Sequence, residues 1–174
     1  MINIDSTAPR PTLDTPIEHL GACHRRIEER LDTLERAGRH LLTDPDEALT
    51  AIHSAFRFLN TNGAKHTADE EESFFPRLAA NASEDDQQFL ETLHGEHQKA
   101  EAIYADLTAH VGSLSNPPAE AEIDRYNQLA NLLCCLYRQH IRNEDARFPE
   151  IAHRTLSHAD LEAIGEGMKR RRGI

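Results

Sequence analysis

The chain has 174 residues, a length that suits one domain with a buried core. Its 19 Lys and Arg residues against 30 Asp and Glu residues give a formal net charge of −11 at pH 7, which argues against general binding to nucleic-acid phosphates. Apolar residues make up 39% of the chain and form no segment long enough to span a membrane.

The N-terminal residues and the cysteine and histidine content give further information about the kind of protein. The first six residues lack the basic and apolar regions of a secretory signal, and the three cysteines include the neighbours Cys134 and Cys135. We therefore expect no disulfide framework and a cytoplasmic location. Eleven histidines in a chain with only 5% aromatic residues are unusual and require an explanation.

The first elements can be predicted from local start signals. Residues 1–14 contain Pro9 and Pro11 without apolar periodicity, which predicts a flexible N-terminal arm. An N-cap residue followed by proline or acidic residues typically begins a helix. Three such signals occur in order, at Thr15-Pro16, Asp44-Pro45 and Ser83-Glu84.

The C-terminal half continues this pattern. Gly112 and residues 113–118 predict a linker before a fourth helix over about 119–151. Ser157 begins a short fifth helix, and Lys169–Arg172 is expected to be a frayed, solvated basic tail. The resulting organisation is an arm over 1–14, a helical domain over 15–155, and a short C-terminal helix with a basic tail over 156–174.

On each of the four long helices, apolar residues recur at alternating intervals of three and four residues, as on helices with one face in a bundle core. The stripe of the fourth helix includes Arg147. Each stripe is apolar until it meets a histidine or a histidine–glutamate pair, so six titratable residues should face the bundle axis: His24, His66, Glu70, His97, His140 and Glu144. With no competing strand pattern, we predict an all-α, up-down-up-down antiparallel four-helix bundle.

These six residues indicate a metal site. The pairs His66–Glu70 and His140–Glu144 have i, i+4 spacing, which points both side chains of a pair the same way. Burying four imidazoles and two carboxylates would be costly unless they form a fully paired polar network or bind metal. The donor set suits two ions held in a helix bundle, with iron as the leading candidate and manganese or zinc also compatible.

The motifs around these residues resemble those of a known family. Each pair is soon followed by Phe-Pro, in His66-Thr-Ala-Asp-Glu70 and His140-Ile-Arg-Asn-Glu144, and single histidines occur in Cys-His24-Arg-Arg and Glu-His97-Gln. Over about 16–151 the chain resembles a hemerythrin-like, or HHE cation-binding, domain. The resemblance implies a non-haem di-iron centre bridged by both glutamates and an oxo or hydroxo group, with chemistry toward O2, nitric oxide, peroxide or iron supply.

The chain departs from oxygen-carrying hemerythrins in two ways. The fifth histidine of those carriers is missing, because Leu93 and Glu101 lie four residues before and after His97. The remaining set resembles the iron–sulfur repair branch, although the Cys-bearing N-terminal domain of that branch is absent from this sequence, which argues against a repair role. Asp145 has the spacing of the carriers' bridging aspartate, but Glu144 lies on the core stripe and is ranked first.

Other candidates have competing interpretations. His94 is a candidate flanking ligand or a partly exposed histidine, and Glu71 is a solvated residue or the partner of a ligand imidazole. Tyr104 and Tyr137 are core residues or hydrogen-bond donors to the site. The three cysteines are interpreted as small packing residues or as redox-sensitive thiols. The remaining histidines are expected on the surface: His19, His40, His53, His110, His153 and His158.

Three functional hypotheses follow. The preferred one is a di-iron protein that reacts with O2, peroxide or nitric oxide in stress or iron homeostasis, including oxidoreductase-like or peroxide-decomposing activity, because only six protein ligands serve two metals. The alternatives are a reversible O2-binding or O2-sensing module, and storage or donation of iron for iron–sulfur repair. We expect these small ligands as partners, no nucleic acid or membrane partner, and a monomer or weak homodimer.

Overall fold

The computed structural model describes residues 12–174, so most of the predicted N-terminal arm lies outside the described residues. All regular structure within 12–174 is helical, which confirms the all-α class. The helices are α1 (Pro16–His40), α2 (Pro45–Phe58), α3 (Ala64–Asp69), α4 (Phe75–Asn81), α5 (Glu84–Gly112), α6 (Glu120–Thr155) and α7 (His158–Arg172).

Local chemistry explains where these helices begin. The Asp44 side chain accepts a hydrogen bond from the Glu47 amide at the start of α2, and Ser83 does the same for Asp86 at the start of α5. The Ser157 hydroxyl accepts from the Asp160 amide and begins α7. These contacts confirm the start signals at Asp44, Ser83 and Ser157. Helix α1 also begins where Thr15-Pro16 predicts, but the Thr15 side chain makes no capping hydrogen bond.

The second helix of the sequence analysis is not regular. Two π turns, Leu59–Gly63 and Glu70–Phe74, join α2 to α3 and α3 to α4. A π turn places one extra residue in a helical turn and leaves a backbone group without its usual partner. At the first π turn the Thr61 hydroxyl donates to the Arg57 carbonyl at 2.7 Å, which satisfies one such group. The second π turn carries Glu70, one of the six predicted inward residues.

The helices enclose two apolar clusters separated by a polar layer. Helix α1 packs against α2 and α6, and α5 packs against α6. In α1, His24 lies between Leu20 of one cluster and Ile27 of the other. The same order occurs in α5 with Leu93, His97 and Ala100. The six predicted inward residues thus occupy a layer that has hydrocarbon on both sides.

One core prediction for α6 is wrong. Arg147 was placed on the inward stripe, but it is exposed and Phe148 is buried in its place. The Arg147 guanidinium lies over the Phe89 ring and contacts Asp85 and Asp86 at the surface. A charged group can keep its hydration there while its carbon stem covers apolar surface.

The C-terminal helix also differs from expectation, because the basic residues are neither frayed nor wholly solvated. Helix α7 packs against α3 and the second π turn. There Arg171 Nε and Arg172 Nη2 approach the carboxylate of Asp69 at 2.8 and 2.7 Å. Asp69 is fully buried and needs a cationic partner. A Cβ at Gly167 would lie 2.9 Å from Ser73 Oγ, so glycine permits this close approach.

Among residues 12–174, no helix is sufficiently long and apolar to cross a bilayer.

Candidate metal centre

The structure brings the six predicted inward residues together in one buried cluster. His24, His66, Glu70, His140 and Glu144 are buried, and the His97 side chain is 10% exposed. The Nε2 atoms of all four imidazoles point to the two carboxylates. The shortest approaches are 2.8 Å from His66 to Glu70, 3.1 Å from His97 to Glu70 and 3.1 Å from His24 to Glu144.

The cluster divides into two overlapping groups of potential ligand atoms. One contains His24, His66, Glu70 and Glu144, and the other contains Glu70, His97 and His140. Within each group the atoms lie within 4.8 Å of one another. Opposite ligands of one transition-metal ion lie about 4 Å apart, so each group has the size of a single ion site. Glu70 belongs to both groups and joins the two sites.

The cluster lacks the hydrogen bonds that would make it a stable polar network. His24 Nε2 and all four carboxylate oxygens of Glu70 and Glu144 are buried, and none has a hydrogen-bond partner among residues 12–174. The short distances between the imidazole Nε2 atoms and these oxygens therefore lack the directions that a hydrogen bond needs. Several unsatisfied acceptors facing one point would strongly destabilise the fold. Cations bound between them would remove that penalty, so the donor set fits metal binding.

Three of the imidazoles are held from behind by carboxylates on other helices or turns. His24 Nδ1 lies 2.7 Å from Asp145 Oδ1, His97 Nδ1 lies 2.6 Å from Glu71 Oε1, and His140 Nδ1 lies 2.9 Å from Glu96 Oε2. An outer carboxylate of this kind accepts the Nδ1 proton, orients the ring and leaves Nε2 free for a metal.

His66 has a different neighbour. Among the described residues no carboxylate approaches its Nδ1, which has no hydrogen-bond partner, and the Cys23 thiol is close by. Burial raises the pKa of the Cys23 thiol, but its interactions with His19 and His66 outweigh burial and lower that pKa to about 5. Cys23 is therefore part of the surroundings of the cluster rather than a simple packing residue.

Without metal, the close carboxylates favour protonated imidazoles. Burial lowers the pKa of His24, but contacts with Asp145, Glu144 and Glu70 outweigh it and raise the pKa to about 12. Burial likewise opposes the charge on His66, yet Glu70 raises its pKa to about 10. Although burial disfavours the Glu70 carboxylate, its three histidine neighbours hold its pKa well below the usual range. In the metal-free cluster the charges of imidazoles and carboxylates thus offset each other in part, but without the hydrogen bonds that would complete the pairing.

We expect metal uptake to release protons, since an imidazole must be neutral to bind a metal. At about pH 7.5, Zn²⁺ binding to metal-free protein should displace one proton each from His24 and His66, so the apparent affinity should rise with pH. Calorimetry in buffers of different ionisation enthalpy measures this release. Heats that do not depend on the buffer would contradict the protonated cluster.

The raised pKa values of His24 and His66 predict that the stability of the metal-free protein and that of the metal-loaded protein change with pH in opposite directions. The folded pKa values of His24 and His66 lie above the ordinary value of 6.5, so their contribution to stability is complete below about pH 6.5. It is lost as pH rises through about 10 and 12. The metal-free protein should therefore unfold more easily at pH 9 than at pH 6, whereas the metal-loaded form should be more stable at the higher pH.

The positions of His94, Glu144 and Asp145 agree with one of the sequence interpretations, whereas those of His19, His110 and Cys135 differ from the prediction. His94 lies outside the two ligand groups and is 53% exposed, and its Nδ1 contacts Glu71 at 2.8 Å. Of the adjacent acids on α6, Glu144 joins the cluster and Asp145 lies behind His24. His19 and His110, predicted on the surface, are only partly exposed, and Cys135 is exposed instead of packed.

Glu96 was not predicted from the sequence as a residue of this site. It precedes His97 on α5 and is buried, but its partner is His140 of α6. The only signal in the sequence was an acidic residue next to the predicted ligand His97, and the apolar stripe placed Glu96 off the inward face.

The sequence matches the family model for the hemerythrin HHE cation-binding domain over residues 15–169, which is most of the chain. No curated protein matches the chain.

Proposed function

Because the chain belongs to the hemerythrin HHE family, we propose that it is a di-iron protein that reacts with O2, peroxide or nitric oxide. The four long helical segments, in up-down-up-down order, would hold the ions between two apolar clusters. The proposed ligands are His24, His66, Glu70, His97, His140 and Glu144, of which Glu70 belongs to both ligand groups.

The observation that best supports this proposal is that the buried carboxylate oxygens of Glu70 and Glu144 converge and have no hydrogen-bond partners. When bound, a pair of iron ions supplies electrons to O2, peroxide or nitric oxide. Six side chains fill fewer positions than two octahedral ions offer, which leaves positions for a small exogenous ligand. This favours reaction over simple storage.

The residues of the chain would control access and orientation. The outer carboxylates of Asp145, Glu71 and Glu96 hold three imidazoles in one tautomer and ring orientation. Phe75 stacks on the His97 ring with centroids 6.0 Å apart and shields that side of the site from water. The apolar layers above and below keep the dielectric low, which strengthens binding of charged or polar ligands at the ions.

Metal content is the first test. Protein produced in iron-replete medium should contain about two iron ions per chain, because the two ligand groups each have the size of one ion site. Elemental analysis measures the ratio. Folded protein with well under one metal ion per chain would contradict the proposed centre.

The reaction with O2 separates a reactive protein from an oxygen carrier. We expect the reduced, iron-loaded protein to be oxidised on mixing with O2 in a stopped-flow spectrometer, without a long-lived reversible adduct, since the fifth histidine of the carriers is missing. A coloured species that disappears reversibly under vacuum would instead support O2 carriage or sensing. His94→Ala would then test whether that histidine moves in as a fifth imidazole.

A further inference from the structure

A cavity opens beside the candidate metal centre, between the α2–α3 segment and α5. Its volume is about 480 Å³, and His97 lies in its wall. Tyr137 of α6 also contributes to the wall, one turn before His140. The first π turn borders the cavity through Leu59 and Gly63. The cavity thus connects the protein surface with one of the proposed metal ligands.

The volume exceeds what the proposed small ligands need. O2, nitric oxide and peroxide each contain two heavy atoms, whereas a cavity of this size lies within the range of about 300–1,000 Å³ that is typical of sites for organic molecules. A narrow channel would be enough for a diatomic molecule. The cavity is therefore large enough for a second, larger ligand.

The lining defines the chemistry of that ligand. Apolar groups and the rings of Tyr104 and Tyr137 form much of the wall, and Asn60 and Gln98 offer neutral hydrogen-bonding groups. Glu71 and Glu101 contribute carboxylates, and no Lys or Arg of the described chain lines the cavity. Flat apolar walls favour an aromatic ring. Glu71 is already paired with the imidazoles of His94 and His97, so the Glu101 carboxylate is the group that disfavours an anion.

The two tyrosines form a defined part of the cavity wall. The Tyr104 hydroxyl donates to the Phe56 carbonyl at 3.3 Å, and its ring packs edge-on against the Phe56 ring. Burial raises the pKa of both Tyr104 and Tyr137 to about 12, so both hydroxyls remain protonated at neutral pH. A ring that enters here meets preformed surfaces and pays little ordering cost.

We propose that this cavity binds a small, uncharged or cationic aromatic molecule next to the His97 side of the metal centre. This proposal extends the proposed function, because it adds an organic ligand to a site for diatomic ligands. Its binding requires the cavity alone, so it can be tested whether or not the metal reacts with O2.

The test uses three probes with the same phenol ring and different charge. Calorimetry should show binding of 4-ethylphenol, which is neutral, and of tyramine, which is cationic. The anion 4-hydroxyphenylacetate should bind at least about tenfold more weakly because of the Glu101 carboxylate. Failure of both 4-ethylphenol and tyramine to bind, or equal binding of all three, would overturn the proposal.

Two variants place the binding in this cavity. Ala64 is exposed at the cavity wall, so Ala64→Phe should fill the cavity and abolish probe binding without loss of folding. Ala121→Phe, at an exposed position in the first turn of α6 that does not line the cavity, is the matched control and should bind normally. Glu101→Lys should reduce the preference for tyramine over the anion, whereas Glu120→Lys, an equal charge change at the start of α6, should not. Binding that survives Ala64→Phe, or an unchanged preference in Glu101→Lys, would show that the site is elsewhere.

The distance to the metal has an independent readout. The NMR signals of bound 4-ethylphenol should broaden in protein loaded with ferrous iron and kept free of O2 more than in zinc-loaded protein, because high-spin ferrous iron is paramagnetic and the ring lies near His97. Equal line widths in the two forms would overturn the placement beside the metal. Protein that binds the probes but no metal would contradict the proposed function and leave the cavity assignment standing.

Discussion

Replacing Glu70 by alanine is expected to remove both metal ions. Its two oxygens face different histidines, with Oε1 at 2.8 Å from His66 Nε2 and Oε2 at 3.1 Å from His97 Nε2. It is also the one residue common to both ligand groups within 12–174. Without it, each group loses an anionic ligand, so iron should fall from about two ions per chain to near zero by elemental analysis.

Variants that lack a single ligand other than Glu70 should lose metal to different extents. His66→Ala and His140→Ala each remove an imidazole from one group only and should lower the metal content less than Glu70→Ala does. Glu144→Ala should also lose metal, since Glu144 Oε2 lies 3.1 Å from His24 Nε2 and 3.4 Å from His140 Nε2. His53→Ala is the control, because His53 is exposed on α2. Loss of iron from His53→Ala as severe as that from His140→Ala would refute the site.

The second large effect concerns stability. The double substitution Arg171→Gln with Arg172→Gln leaves Asp69 charged, fully buried and without its cationic partners. Breaking a buried ion pair from one side costs about 3 kcal/mol or more. For a chain of this size we expect the melting temperature to fall by about 6–12 °C, measured by calorimetry or circular dichroism.

The controls isolate the buried charge. Arg170→Gln removes a neighbouring exposed cation and should leave the melting temperature nearly unchanged. Adding Asp69→Asn to the double variant should restore part of the lost stability, because a neutral amide costs less to bury than an unpaired carboxylate. A double variant as stable as the natural chain would mean that Asp69 finds another partner or takes up a proton.

Local sequence determined where several helices begin and which side chains face the core. The capping residues Asp44, Ser83 and Ser157 mark three helix starts because an N-cap satisfies backbone groups within three residues of itself. The alternation of three and four residues predicted which histidines and glutamates face inward, because side-chain direction on a helix repeats with a fixed period. Both signals act over one or two turns, and the convergence of the six residues followed from them.

Tertiary structure alone decided what lies behind and beside the cluster. Asp145 is 121 residues from its partner His24, Glu96 is 44 residues from His140, and Arg171 is 102 residues from Asp69. Such pairings depend on the angle and offset at which helices pack, which local periodicity does not encode. The two π turns and the cavity beside His97 arise in the same way. They form where the second helix must fit α5, α6 and α7 at once, and packing against those neighbours outweighs the regular hydrogen-bond pattern of one helix.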